Sequence, residues 1–342
     1  MDDLLAHHRA GYRRQALTMP AVAREPIDRA DTLGERALIA RIVGALGAAC
    51  PRPPRGPGGD CAHLATDGGR LFRVATVDGV LLGRHFDAST PPEAAGRKLV
   101  HRNLSDLAAA GARPSDALLT LVLGGDTSLA WLEAFAAGIG RAAHAAGLEV
   151  VGGDVARGPD GHIAAHLATT GFAHRVLTRG TARPGDVLLV TGALGGSRLG
   201  HHLTFTARLA EGEWLCGQGA VTACTDLSDG LARDLPGLLA AGQGARIDLA
   251  STPIADAARK LSASDGIPAA EHAWCDGEDH ELLLAVEPDR VDWIERAFRE
   301  TFPATALTRL GEVTDQPGVV DTRGGTVPRG GHSHFGPERN PT

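Results

Sequence analysis

The chain has 342 residues, a formal net charge of −7 and an apolar fraction of 43%. Its length is sufficient for two domains, since domains commonly run to about 100–200 residues. The negative net charge argues against nucleic acids and anionic membranes as partners, because both attract basic surfaces. Five cysteines without Cys-X-X-Cys spacing give little support for a zinc site or a disulfide framework.

The N-terminal residues 1–32 mix His, Arg and Pro without clear periodicity, and we interpret them as an appended arm with one short helix around residues 4–17. They contain no apolar leader segment, and the rest of the chain has no long apolar run. We therefore expect a cytoplasmic protein without a membrane partner. The folded core is predicted to begin near Leu33, because apolar residues then recur at helical spacing: Leu38, Ile39, Ile42 and Leu46.

The first half of the chain is predicted to alternate strands and helices, with Gly, Pro and capping residues at the boundaries. The predicted elements are a strand at 71–77, a helix at 92–110 closed by Gly111, a strand at 117–123, a helix capped by Ser128, and strands at 148–151 and 162–172. We expect Asp78 at the end of the first of these strands. Asp154 is expected just after the strand at 148–151.

The second half repeats this mixed pattern after a connection at 173–186. Strands are predicted at 187–191, 221–225, 245–249, 280–286 and 306–313, and a helix is predicted to start at Asp229. These elements indicate two α+β domains, at 33–173 and 174–342, with a site between them. No sequence repeat is clear enough to indicate duplication.

Six aspartates recur in short contexts rich in glycine and hydroxyl residues: Asp60, Asp78, Asp106, Asp154, Asp226 and Asp229. Each context could by itself be an ordinary turn or a helix cap, because Gly and Asp are frequent turn formers. Together they indicate a shared site, since carboxylates gathered from distant segments repel one another unless a cation lies between them. Mg²⁺ takes oxygen ligands and often bridges carboxylates to substrate phosphates. The pattern therefore favours metal-dependent phosphoryl transfer.

Two other nucleotide-binding classes are excluded by missing residues. The glycine-rich segment after the strand at 187–191 is similar to the opening of a short-chain dehydrogenase, but Arg198 stands where the third glycine would be. The Tyr-X-X-X-Lys pair of that family is also absent, because Tyr12 is the only tyrosine. No Walker-type Gly-X₄-Gly-Lys-Ser/Thr segment occurs, which excludes a P-loop kinase.

Seven ordered motif segments resemble those of the thiamine-monophosphate kinase family, within the superfamily that includes aminoimidazole-ribonucleotide synthetase. The resemblance extends over about residues 33–335. The segments are Gly-Asp-Cys-Ala at 59–62, Thr-Val-Asp at 76–78 with Gly-Arg-His-Phe at 83–86, Asn-Leu-Ser-Asp-Leu-Ala at 103–108, Gly-Gly-Asp at 152–154, Leu-Thr-Arg at 177–179, Asp-Leu-Ser-Asp-Gly-Leu at 226–231 and Gly-Glu-Asp at 277–279.

This resemblance implies an α+β, two-domain aminoimidazole-ribonucleotide synthetase-like fold, and a homodimer whose N-terminal domains pair their sheets into a barrel. It also implies that the chain binds ATP, thiamine monophosphate and Mg²⁺. The residues implied for the metal ions are Asp60, Thr76, Asp78, Asp106, Asp154, Asp226 and Asp229. Those implied for ATP are Gly153, Asp154, Arg179 and Ser228, and those implied for thiamine phosphate are His85, Glu278 and His332.

The implied acceptor is a phosphate oxygen that is already anionic, so we expect no catalytic base and no nucleophilic side chain. The chain departs from the family pattern near the acceptor: His280 stands where similar sequences have Tyr, and 330–332 reads Gly-Gly-His where they have Trp and Tyr. Two alternatives therefore remain open. One is an enzyme of the same fold that acts on another small molecule, and the other is a non-catalytic nucleotide-binding dimer.

Overall fold

The computed structural model describes residues 33, 35–53, 55–64 and 70–332. The arm predicted at 1–32, with its short helix, lies outside the described residues. By packing, the chain falls into two units, one comprising 1–49 with 333–342 and the other comprising 50–332. In the described part of the first unit, helix α1 (Glu35–Leu46) forms where the apolar spacing predicts it, and none of its residues is buried.

The first sheet of the second unit lies in its N-terminal half. In the described residues its strands are β1 (Ala62–Leu64), β2 (Phe72–Leu81), β3 (Arg113–Gly124), β4 (Glu149–Gly158) and β5 (Ile163–Ala173), in the order β1-β2-β5-β3-β4. β3 and β4 are parallel, and the other neighbouring strands are antiparallel. Helices α2 (Pro92–Ala109) and α3 (Leu129–Ala146) pack on one face of this sheet and complete its apolar core.

Helix α2 is the central element of this half. Pro92 begins it, and Gly111, with a φ of 69°, follows its last turn. Thirteen of its eighteen residues are buried, so the helix packs on several sides. Gly96 allows α3 to cross closely, because a Cβ there would lie 2.2 Å from the backbone oxygen of Phe135. The buried residues of α2 include five polar ones, which lead toward the candidate site: Lys98, His101, Arg102, Asn103 and Ser105.

The second sheet lies in the C-terminal half. In the part of the chain that the structure describes, its strands are β6 (Val187–Thr191), β7 (Val221–Asp226), β8 (Gly244–Ile247), β9 (Leu282–Val286), β10 (Leu307–Thr314) and β11 (Gly318–Asp321), in the order β11-β8-β10-β6-β9-β7. β11 is parallel to β8, and the other neighbours are antiparallel.

Helices cover both faces of the second sheet. They are α4 (His201–Thr204), α5 (Leu209–Gly217), α6 (Leu231–Leu238), α7 (Asp256–Asp265), α8 (Ala269–Cys275) and α9 (Val291–Thr301). One apolar cluster joins α6 and α8 to the sheet around Trp274, and another joins α5 and α9 around Phe298. None of the helices in the described ranges is long and apolar enough to cross a membrane.

The predicted α+β class is confirmed, but two strand ends are wrong. β2 continues to Leu81, so Asp78 lies inside the strand, and β4 continues to Gly158, so Asp154 also lies inside a strand. Glycine and aspartate are frequent turn formers, yet pairing with the neighbouring strands keeps them extended here. The close approach of β3 and β4 requires glycine at position 153, because a Cβ there would lie 1.8 Å from the backbone oxygen of Leu119. The predicted division at 173/174 stays a prediction.

Candidate active site

Three of the predicted metal-binding aspartates meet at one point. Among the described residues, Asp60, Asp106 and Asp226 bring carboxylate oxygens within 4.8 Å of one another. Asp60 precedes β1, Asp106 lies in the last turn of α2, and Asp226 is the final residue of β7. The group is therefore built from both halves of the unit.

Hydroxyl groups from neighbouring segments hold these carboxylates in place. The donors and acceptors are Thr76 Oγ1 to Asp106 Oδ2 at 2.5 Å, Ser105 Oγ to Asp226 Oδ2 at 2.6 Å, and Thr225 Oγ1 to Asp60 Oδ1 at 3.2 Å. The guanidinium of Arg179 adds an ion pair, with its Nη2 at 3.0 Å from Asp60 Oδ1. The sequence predicted Thr76 and Arg179 as site residues but missed Ser105 and Thr225.

The three carboxyl groups differ in their tendency to ionise. Burial raises the pKa of Asp60 to about 7, although the Arg179 guanidinium opposes this shift. Burial and then repulsion from Asp226 and Asp78 raise the pKa of Asp106 well above its usual range. Burial also disfavours the charged form of Asp226, but hydrogen bonds from His280 and Ser105 outweigh it and lower the pKa of that group. A cation between the three groups would relieve their repulsion.

The donor set fits a hard divalent cation. Three carboxylates from distant segments face one another, and the hydroxyl of Thr76 lies beside one of them. Such oxygen atoms suit Mg²⁺, which binds proteins through one or a few carboxylates and leaves positions for water and phosphate. Mutually repelling carboxyl groups, two of which have raised pKa values, are the chemical feature that a bound cation would stabilise.

Asp78 lies at the edge of this group, on the same face of β2 as Thr76. Its Oδ2 accepts a hydrogen bond from Arg102 Nε at 2.7 Å, and its backbone N–H donates to Asn103 Oδ1 at 2.9 Å. Arg102 extends further and places its Nη1 3.3 Å from Glu278 Oε1. Arg102 therefore connects a predicted metal ligand with a predicted substrate contact.

Glu278 lies in a loop with an unusual backbone. Gly277, Glu278 and His280 all have positive φ values, of 73°, 54° and 51°, and such values in non-glycine residues are concentrated at functional sites. Two hydrogen bonds fix the loop against the segment after β7, from Glu278 N to Ser228 O at 2.8 Å and from His280 N to Leu227 O at 2.9 Å. The predicted ATP residue Ser228 and the predicted substrate residue Glu278 are thus neighbours.

His280 packs beside the three-aspartate group. Its Nδ1 lies 3.3 Å from Asp226 Oδ2, and its ring stacks on Phe205 with centroids 4.1 Å apart. The Nε2 atom is buried and has no hydrogen-bond partner in the described part of the chain. The ring therefore supports a carboxylate of the three-aspartate group.

His85 lies in the turn that follows β2. Its Nδ1 accepts a hydrogen bond from the backbone N–H of Leu81 at 3.1 Å, and its carbonyl accepts one from Lys98 Nζ at 2.7 Å. The same ammonium lies 2.6 Å from Glu278 Oε1. Burial raises the pKa of Glu278, but the positive charge of Lys98 outweighs it, so the pKa falls below its ordinary value.

Asp229 and His332 contact each other next to the Glu278 loop. The backbone N–H of His332 donates to Asp229 O at 2.9 Å, and the ring Nε2 lies 3.3 Å from Arg84 Nη2. Asp229 Oδ2 pairs with Arg233 Nε at 3.0 Å, and its backbone N–H donates to Asp234 Oδ2. Burial raises the pKa of Asp234 well above its usual range, and the sequence reasoning missed this residue.

Gly153 and Asp154 do not reach the three-aspartate group within one chain. Asp154 is exposed and stands in line with Thr120, His166 and Gly79 across the first sheet. Three strand spacings of about 4.8 Å separate it from β2, a distance of about 14 Å. Gly79 follows Asp78 directly, so Asp154 lies on the opposite face of the sheet from Asp78.

Comparison with known proteins shows which family has a similar sequence. Residues 58–173 match the AIR synthase related protein N-terminal domain, and residues 183–322 match the corresponding C-terminal domain. Thiamine-monophosphate kinase of Rhodopirellula baltica is 36% identical over 258 residues, which cover 75% of this chain and 80% of that protein. The enzyme of Escherichia coli strain K12 is 32% identical over 330 residues, covering 88% and 98%.

The chain belongs to the thiamine-monophosphate kinase family. The solved structure of AaThiL complexed with AMPPCP and TMP matches it with a TM-score of 0.76 at 29% identity, covering 89% of this chain and 97% of that one. The family that the motifs indicate is confirmed, and so is the enzyme class, a thiamine-phosphate kinase.

Lys98 and Arg102 are the most informative residues that the sequence did not predict in this member of the thiamine-monophosphate kinase family. Both lie on α2, and with Asp106 they recur every fourth residue on a helix that is otherwise largely apolar and buried. Polar residues at that spacing share one face of a helix. The recurrence was therefore a usable sequence signal for a line of charged groups that leads to the site.

Proposed function

We propose that the chain transfers the γ-phosphoryl group of ATP directly to thiamine monophosphate, which yields thiamine diphosphate and ADP. The observation that carries this proposal is the meeting of Asp60, Asp106 and Asp226 within 4.8 Å, joined through Arg102 to the Glu278 loop. The solved structure of the relative AaThiL is a complex with AMPPCP and TMP, which supports a nucleotide and thiamine monophosphate as the two ligands.

The proposed metal-binding residues are Asp60, Asp106 and Asp226, with Thr76 and Asp78 at their edge. When bound, Mg²⁺ would neutralise phosphate oxygens and offset the repulsion between the two anionic reactants. The carboxylates fix the position of that positive charge, since hydroxyl groups orient them from both halves of the unit. For Asp229 and Asp154, a role in metal binding is likewise a proposal.

The remaining residues orient the nucleotide and the acceptor. Arg179 lies beside Asp60, and its Nε is buried without a hydrogen-bond partner in the described residues, so we assign it to the phosphates of ATP together with Ser228. His85, Glu278 and His332 are assigned to thiamine monophosphate. The acceptor oxygen carries its own negative charge, so no side chain acts as a base or forms a covalent intermediate.

We also propose a homodimer that pairs the first sheets of two copies. The face of this sheet opposite α2 carries Val77, Ala168 and Leu118 in one row, and Val77 and Leu118 are 63% and 52% exposed. A second copy covering this face would bury apolar surface and enclose Asp154. Leu118→Glu should therefore give a monomer in sedimentation velocity, whereas a dimeric Leu118→Glu variant would contradict this arrangement.

A coupled assay with ATP, Mg²⁺ and thiamine monophosphate tests the proposed reaction, with thiamine diphosphate measured by chromatography. Formation of thiamine diphosphate that stops when EDTA is added is the expected result. Retained Mg–ATP binding in calorimetry without any product would favour an enzyme of the same fold acting on another small molecule. If neither product nor nucleotide binding is found, the kinase proposal fails and a non-catalytic role takes its place.

A further inference from the structure

The ammonium group of Lys98 is buried and contacts three polar groups. The side chain, on the middle of α2, has no exposed surface. Its Nζ lies 2.6 Å from Glu278 Oε1, 2.7 Å from the backbone oxygen of His85 and 2.9 Å from His202 Nδ1. An ammonium has three N–H donors, so these three contacts use its whole hydrogen-bonding capacity. It has no surface with which to touch a substrate itself.

The contacts of Lys98 connect segments that are distant in sequence. His85 lies in the turn after β2, whereas Glu278 lies between α8 and β9 in the other half of the unit. Each of these two residues is a proposed contact for the acceptor. Burial of an ammonium is unfavourable unless it is paired and hydrogen-bonded. A lysine that is buried with three such contacts therefore fixes the geometry of the groups around it.

The Glu278 loop depends on this contact more than an ordinary loop would. Its backbone is left-handed at Glu278 and again at His280, and such conformations persist only where surrounding contacts hold them. Among the described residues, Arg102 Nη1 and His202 Nδ1 also lie near the Glu278 carboxylate, at 3.3 and 3.6 Å, and Arg102 binds Asp78 as well, at 2.7 Å. Lys98 is thus the closest of these three partners of Glu278.

We propose that Lys98 is a positioning residue for the acceptor: it holds the Glu278 carboxylate and the His85 turn at a fixed place relative to α2. This inference rests on the proposed function, in which His85 and Glu278 contact thiamine monophosphate. A fixed carboxylate suits the cationic thiazolium ring of that molecule. Lys98 therefore sets the affinity for the acceptor and acts on ATP much less.

The test is steady-state kinetics of Lys98→Met, which keeps the length of the side chain and removes its charge. We expect KM for thiamine monophosphate to rise about tenfold or more, the change that truncating one partner of a buried charge pair produces. KM for ATP should stay within about twofold, since non-contacting sites act independently. A merely structural defect would change both constants or lower the melting temperature without this difference.

A double-mutant cycle shows whether Lys98 acts through Glu278. If it does, Lys98→Met combined with Glu278→Gln should raise KM for the acceptor no more than the worse single variant. Arg97→Met is the matched control, because Arg97 neighbours Lys98 on α2 and binds Leu203 O and Thr206 Oγ1 without contacting either acceptor residue. Its KM values should equal those of the wild type.

Three results would overturn the proposal: an unchanged KM for thiamine monophosphate, additive effects in the cycle, or an equal loss in Arg97→Met. If Lys98→Met does not fold, Lys98→Gln replaces it in the same cycle. If the wild type forms no thiamine diphosphate, the proposed function fails, and Lys98 is tested by calorimetric titration with thiamine monophosphate. Weaker binding by the Lys98 variant then supports the positioning role, whereas equal binding, or no binding by the wild type, refutes it.

Discussion

Replacing Asp60 by Asn should make the metal-free protein more stable at mildly alkaline pH. Burial raises the pKa of Asp60 from 3.8 to about 7. A carboxyl group whose folded pKa lies above its unfolded pKa binds more protons in the folded state, so stability falls as pH rises between the two values. From about pH 5 to about pH 7 this group alone removes about 3 kcal/mol, since one pKa unit corresponds to about 1.4 kcal/mol. Asparagine carries no charge and removes that loss.

Urea unfolding in EDTA, followed by tryptophan fluorescence, measures the effect at about pH 5 and about pH 8. The free energy of unfolding of the wild type should fall between the two conditions by about 3 kcal/mol more than that of Asp60→Asn. Asp289→Asn is the matched control, because that carboxylate is exposed and lies outside both the three-aspartate group and the proposed dimer face; the stability of this variant should change with pH as that of the wild type does. Added Mg²⁺ with a non-hydrolysable ATP analogue should stabilise the wild type and not Asp60→Asn.

Two outcomes would refute this reasoning. The first is a wild-type stability in EDTA that stays level or rises over the same pH range. The second is an Asp60→Asn variant that is less stable than the wild type at about pH 8. Either result would mean that burial and the nearby charge of Asp226 do not raise the pKa of Asp60, and Asp60 would then give no support to a cation at this point.

Three further changes test other parts of the site and fold. Asp106→Asn should lower turnover about a hundredfold or more while circular dichroism stays unchanged; wild-type turnover at saturating Mg²⁺ would contradict the metal assignment. Gly277→Ala should lower stability by about 1–3 kcal/mol, because its φ is 73° and a Cβ there would meet the facing backbone at 2.8 Å; scanning fluorimetry measures the loss. Burial lowers the pKa of His272, but hydrogen bonds to Asp276 and Asp265 outweigh it and raise the value above 6.5. His272→Gln should therefore reduce stability below about pH 6.5 and lose this effect as pH rises through the folded pKa, in a urea series across that range.

Local sequence patterns predict the parts of this fold that depend on local physics. The predicted helix at 92–110 matches α2 because a proline, an apolar spacing and a glycine mark its start, face and end. The strand at 187–191 matches β6, which is a continuous apolar run. Short elements with weak apolar patterns were not predicted. Helix α7 is one of these, and it buries only Ala258 and Leu261.

The arrangement of the site depends on pairing between distant segments, which local patterns do not contain. Asp78 and Asp154 were placed in one group from their motifs, yet strand register puts them on opposite faces of the first sheet. Arg102 and Glu278 are 176 residues apart in the chain. The sequence around either residue therefore does not predict their contact. The family resemblance indicates which residues form the site. The structure adds the side chains of Lys98 and Arg102, which hold Glu278 and Asp78 in place.

Helix α2 also sets the distance between the proposed acceptor residues and the three-aspartate group. Lys98, which holds the acceptor loop, and Asp106, which belongs to the three-aspartate group, are eight residues apart, or about 12 Å along the helix axis. Inserting one residue between them would turn Asp106 by about 100° and move it away from its carboxylate partners. On the proposed function, the distance between the acceptor and a bound metal ion is therefore set by the length of one rigid helix. On the proposed function, we expect a change in acceptor preference to arise in the segments around 277–280 and 330–332, which contain the proposed acceptor residues Glu278 and His332.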